Sequence, residues 1–83
     1  MSALDLFVDQ RLTVGEATFS REEAEQALGL TKAGLDAALV RLGKRGRIVN
    51  VHKGFYVVMR PEDRAYGIPD PAQWIGPLMA YLD

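Results

Sequence analysis

His52 is the only histidine in this chain, cysteine is absent, and ten Lys/Arg stand against eleven Asp/Glu. Without cysteine there is no thiolate nucleophile, no soft metal ligand and no disulfide. A single histidine, near neutral at pH 7, suits a hydrogen bond to a phosphate rather than a metal site. The spacing supports no Ser-His-Asp constellation. Glu22, Glu23 and Glu25 crowd one helix start and read as capping and solvated residues, not as a general acid–base pair. Gly43-Lys44 superficially evokes a phosphate loop, yet position 38 is Ala and Arg45 replaces the Ser/Thr that would hold magnesium. No enzyme, cofactor or small-molecule ligand is expected.

What remains is charge. Arg41 to Arg60 carry six Lys/Arg and no acid, in a protein of formal net charge −1. Residues 1–40 hold seven acids against three bases, and residues 61–83 four against one. Overall acidity counts against a generic nucleic-acid binder, so local segregation must carry any such argument. A basic segment on an acidic body also restricts docking, because the remaining surface repels a polyanion.

The elements that would position these groups are legible in outline. The chain's 83 residues suffice for one small domain, which buries only about 60% of its unfolded surface. With 48% apolar and 25% charged residues, disorder is not expected. No apolar run nears membrane-spanning length and no signal pattern opens the chain, so a soluble, cytoplasmic protein without membrane contact is expected. Leu4, Phe7, Val8 and Leu12 recur at helical spacing and predict a helix over about 2–12. A connector follows, in which Phe19 pairs as a one-bridge strand at most. Ser20-Arg-Glu-Glu23 is a capping-box pattern opening a helix over 21–28, with Gly29 as its left-handed stop. Thr31 caps a third helix over 32–42, whose core stripe is Leu35, Ala38, Leu39 and Leu42.

Arg47–Val51 and Phe55–Met59 are β-branched and aromatic runs joined by His52-Lys53-Gly54, which predicts a hairpin with glycine at a left-handed position. Helix, helix, helix and two-stranded wing is the winged helix-turn-helix plan, an α+β and mainly α fold. Residues 1–60 are its domain, and residues 61–83 a C-terminal helical extension. In the extension Pro61 starts a short turn-like helix through Tyr66, 67–71 is a linker, and Asp70 with Pro71 opens a last helix. Trp74, Ile75, Leu78, Met79 and Leu82 share one face of that helix, with a kink or break expected at Gly76-Pro77. The stripe reads equally as core or as a face awaiting a partner.

Helical angles select the outward residues of the third helix. With Leu35 inward, Ala33, Ala37, Val40 and Lys44 lie opposite, and Gly34, Asp36 and Arg41 on the flanks. Thr31, Lys32, Ala33, Gly34 and Ala37 form the end that meets base edges in a recognition helix. Small residues there allow close approach, and an alanine methyl can touch a thymine methyl. The face lacks the Asn, Gln or Arg array of strong bidentate readout. Arg41, Lys44 and Arg45 have another explanation, since a cation in a helix's last turn stabilises it by roughly 0.3–1 kcal/mol. Arg47, His52 and Lys53 on the hairpin have no such dipole to serve, which makes the wing the firmer expectation for phosphate contact. Lys53 at the tip is placed to meet a phosphate, whereas Arg47 could do the same or point into a neighbour.

Gly46-Arg-Ile-Val-Asn-Val-His-Lys-Gly-Phe-Tyr-Val-Val58, Ile68-Pro-Asp-Pro71 and Trp74-Ile-Gly-Pro-Leu-Met79 resemble the N-terminal winged-helix domain of AbiEi-type antitoxins, regulators of abortive-infection toxin–antitoxin systems. Thr18-Phe-Ser20, Leu28-Gly-Leu-Thr31 and Arg41-Leu-Gly-Lys-Arg-Gly46 fit the same pattern, which covers nearly the whole chain. The resemblance implies a domain that binds inverted repeats in its own promoter, with a homodimer on DNA, and represses its operon. It implies that Lys32, Ala33, Gly34, Arg41, Lys44, Arg47, His52 and Lys53 occupy recognition-helix and wing positions. It also implies a second, toxin-counteracting domain that begins about where residues 61–83 end, so the chain is expected to be either an excised N-terminal domain or a short protein keeping only the DNA-binding half. The competing expectation is a protein-interaction module using the Ala33/Ala37/Val40 face or the Trp74 helix.

Overall fold

The first three helices start on side chains that satisfy the free backbone N–H groups of a first turn. The computed structural model describes residues 2–64 and 71–83, apart from the side chains of Pro61 and Arg64. Helix α1 (Ala3–Thr13) opens on a Ser2/Asp5 capping box, which the sequence analysis did not single out. Helix α2 (Arg21–Leu28) opens on the expected Ser20/Glu23 box and ends at Gly29, whose φ of 62° is the left-handed stop. Helix α3 (Lys32–Lys44) starts on Thr31 and runs two residues past its expected end, to where Arg45 caps it.

Strands β1 (Thr18–Ser20), β2 (Ile48–His52) and β3 (Phe55–Val58) form one antiparallel sheet in the order β1-β3-β2. The sheet therefore has three strands rather than the two of a bare hairpin. β1 pairs with β3 over Thr18↔Val57, Phe19↔Tyr56 and Ser20↔Phe55, more than the single bridge expected. The reason is packing: Phe19 is fully buried, stacked on Tyr56 at 5.3 Å and met edge-on by Phe7 at 5.3 Å. One face of the sheet, through Phe19, Ile48 and Val58, joins Leu4, Val8, Ala24, Leu35 and Leu42 in the core under α1–α3. Strand alternation puts Phe55 and Val57, also buried, on the opposite face.

The hairpin turn is Lys53-Gly54, with His52 paired to Phe55, so it is one residue tighter than expected. The ladder absorbs an extra residue at Val51, between the Asn50↔Tyr56 and His52↔Phe55 pairs. Asn50 fastens this bulge: its side-chain amide donates to the carbonyls of His52 (2.7 Å) and Phe55 (3.1 Å).

Beyond the sheet come a four-residue helix, α4 (Pro61–Arg64), a 3₁₀ turn at Pro71–Gln73, and helix α5 (Ile75–Leu82). The expected linker at 67–70 and the Asp70 cap lie outside the described residues. The break expected at Gly76-Pro77 is instead the first turn of α5, with Trp74 as N-cap. A first-turn proline lacks an N–H that had no helical partner anyway, so nothing kinks. The apolar stripe divides: Trp74, Leu78 and Tyr81 are half-buried, while Ile75, Met79 and Leu82 are exposed. Among the described residues no helix is long and apolar enough to cross a membrane. The molecule is a small, mainly helical α+β protein.

Candidate nucleic-acid interface

The outward face of α3 is fixed by its inward one. Leu35, Ala38, Leu39 and Leu42 are buried, and Ala33, Ala37, Val40, Arg41 and Lys44 are exposed. Thr31 is committed to the helix start, where its hydroxyl accepts from the Gly34 N–H at 3.1 Å. A Cβ at Gly34 would sit 3.1 Å from the Thr31 hydroxyl, a tight contact.

A cleft of about 540 Å³ separates the N-terminal end of α3 from the hairpin. Lys32 and Asp36 line it from α3, Arg21 and Glu22 from α2, and Asn50 and Lys53 from the hairpin. Arg21 ties its walls together. Its guanidinium meets Asp36 at 2.6 Å, Glu25 at 3.1 Å and the Lys32 carbonyl at 3.4 Å. Its backbone N–H donates to the Gly54 carbonyl at 2.8 Å. Burial disfavours its charge, but the Asp36 and Glu25 carboxylates more than offset that and hold it protonated. Asp36, the acid on this side of α3, is thus neutralised locally.

The cations sort into two classes. Arg11 pairs with Glu16 and Glu23, Arg21 with Glu25 and Asp36, Arg45 and Arg47 with Asp5, and Arg60 with Glu62 and Asp63. Lys32, Arg41, Lys44 and Lys53 make no ion pair among the described residues, and all four are exposed. They occupy α3 and the hairpin tip, and Lys32 and Lys53 both line the cleft. Glu22 shares that cleft as an exposed acid.

Of the two expectations for Arg47, a phosphate or a neighbour, the fold takes the neighbour. The hairpin gives it no dipole to serve, but the tertiary fold gives it partners. Its guanidinium reaches across to α1, meeting Asp5 at 3.0 Å and also pairing with Asp9. Its side chain is only 15% exposed. Asp5 is itself buried, and its carboxyl is held below the ordinary aspartate range, first by the Ser2 hydroxyl and then by Arg45 and Arg47. Arg47 therefore ties β2 to α1. Arg45 lies 3.6 Å from Asp5 but stays 63% exposed, so it remains accessible.

His52 is exposed at the tip, with Nδ1 3.3 Å from the Lys53 carbonyl. Arg21, Asn50 and Tyr81, which shape the tip and the cleft, were not among the residues expected from sequence. Asn50 left a local signal, since asparagine is disfavoured inside strands. Arg21 left only its i,i+4 pair with Glu25, while its contacts with Lys32, Asp36 and Gly54, like those of Tyr81, span long chain separations and leave no signal. No protein-family model, curated protein or solved structure matches the chain.

Proposed function

We propose that the protein is a sequence-specific, double-stranded-DNA-binding regulator of the winged helix-turn-helix type, acting in the cytoplasm. In this reading α2 and α3 are the helix pair, α3 enters the major groove, and the β2–β3 hairpin is the wing. One observation carries it: among the described residues, the four cations without an acidic partner all lie on α3 or the hairpin tip, while the paired ones knit the body together. An ion pair already satisfied inside the fold must be broken before it can serve a phosphate, whereas Lys32, Arg41, Lys44 and Lys53 are free to do so. The resemblance to AbiEi-type antitoxins supports the finer reading, an autorepressor domain that meets an inverted repeat as a homodimer.

The test is binding to a duplex carrying the inverted repeat upstream of the protein's own gene, compared with scrambled duplexes, across a salt series. Lys53→Ala weakens binding to all duplexes alike, because a phosphate contact carries no base information. Lys32→Ala and Arg41→Ala also change the preference between duplexes. Equal, weak binding to every sequence near physiological salt sinks the specific reading.

A second reading has its own support in the exposed Ala33, Ala37 and Val40, the last 56% exposed. An apolar outward face suits a protein partner better than a phosphate backbone. A salt-insensitive protein complex, with no DNA shift even at low salt, decides for it.

A further inference from the structure

The hairpin tip that carries Lys53 is gripped from outside the hairpin by a single side chain of α5. The Tyr81 ring packs on Phe55 at 5.0 Å and lies edge-on to His52 at 6.3 Å. Its hydroxyl donates to the Lys53 carbonyl over 3.3 Å. The same hydroxyl fills the space beside Gly54, where a Cβ would come within 2.8 Å of it. All four residues from His52 to Phe55 therefore meet Tyr81. Phe55 is only 4% exposed, so the ring contact fastens the tip to the buried sheet. From the other side the Arg21 N–H holds the Gly54 carbonyl at 2.8 Å.

We propose that Tyr81 is a positioning residue: it presets the backbone of Lys53-Gly54, and through it the direction of Lys53 and His52, before a duplex arrives. A tip ordered in advance spares the complex the entropy of ordering it on contact. The 3.3 Å hydroxyl contact is long for an O–H···O bond, so the ring supplies most of the grip. The consequence for affinity rests on the DNA-binding reading above; the grip itself does not.

The experiment uses the full chain with Tyr81→Phe, Tyr81→Ala, Lys53→Ala and the Tyr81→Ala/Lys53→Ala double variant. Without DNA, amide spectra report the tip directly. Tyr81→Phe moves the Gly54 amide signal, whose peptide carbonyl loses its donor, and Tyr81→Ala shifts and broadens signals from His52 to Phe55. Unchanged hairpin signals in Tyr81→Ala overturn the grip, whatever DNA does. With the duplex, Tyr81→Ala lowers affinity about two- to tenfold, the scale of one lost contact, and Tyr81→Phe lowers it less. The double variant loses clearly less than the sum of the two single losses, because what Tyr81 does through Lys53 is already gone and only its effect through His52 remains. Additive losses overturn the positioning role and make Tyr81 a DNA contact in its own right. A wild type that binds no duplex defeats the DNA-binding reading and its affinity consequence, while the spectra still decide the grip. If Tyr81→Ala does not fold, Tyr81→Phe carries both readouts.

Discussion

Replacing Arg47 by alanine separates a structural cation from a DNA-facing one. The change leaves Asp5, 4% exposed, without its nearest guanidinium and frees β2 from α1. The Ser2 hydroxyl and the more distant Arg45 soften the loss, so the expected cost is about 1–3 kcal/mol. For a domain of this size each kcal/mol lowers the melting temperature by about 4–8 °C. Lys53→Ala, in contrast, leaves the melting temperature within experimental error and weakens duplex binding. Thermal unfolding of both variants checks this, and an unchanged melting temperature for Arg47→Ala returns that residue to the list of free cations.

At the scale of elements, the end of α3 toward the cleft depends on one side-chain cap. Thr31→Ala removes the hydroxyl that accepts from Gly34 N–H and costs about 1 kcal/mol, read by denaturant unfolding. Thr31→Ser keeps the hydroxyl and restores stability. If the serine variant also restores duplex affinity, Thr31 acts through the helix start rather than through a base edge. The hairpin offers a second measurement. Gly54 has a φ of 73°, and a Cβ would also press on Tyr81, so Gly54→Ala strains both the turn and its contact with α5. Its destabilisation is expected to shrink in a Tyr81→Phe background, where the clashing hydroxyl is gone.

Across the whole molecule, acid and salt act on different charges. Asp5 and Asp63 are held below their ordinary value of 3.8, Asp5 first by the Ser2 hydroxyl and Asp63 first by Arg60. Glu23 is lowered too: burial pushes it up, but the Ser20 backbone N–H and Arg11 outweigh that. Each folded pKa lies below the unfolded one, so the stability these groups contribute is present above the ordinary carboxylate range. It is lost as pH falls from about 4 toward the lower folded values. Melting temperatures between about pH 6 and pH 3 should decline only in the acid part of that range, and Asp63→Asn should flatten the decline. Salt probes the unpaired cations instead. If Lys32, Arg41, Lys44 and Lys53 each meet a phosphate, log K for one protomer on a half-site falls with log salt at a slope of roughly −3.6. Affinity then drops about a hundredfold between about 50 and 200 mM salt. A slope near zero excludes a phosphate-based interface.

The helix boundaries and caps at Ser20, Thr31 and Gly29, the core stripe of α3 and the hairpin were legible in sequence, because each rests on contacts within a few residues or on a repeating apolar period. The same local logic placed Ala33, Ala37, Arg41 and Lys44 outward. It left Arg47 open between a phosphate and a neighbouring side chain, since nothing close in the chain names a partner for it. Only the packing of β2 against α1 decided that Arg47 meets Asp5 and Asp9, and only α5 lying over the tip decided that Tyr81 meets Lys53. The physical reason is the same in both cases. A charge pattern along the chain states which groups exist, but which of them are neutralised depends on partners that folding brings from dozens of residues away.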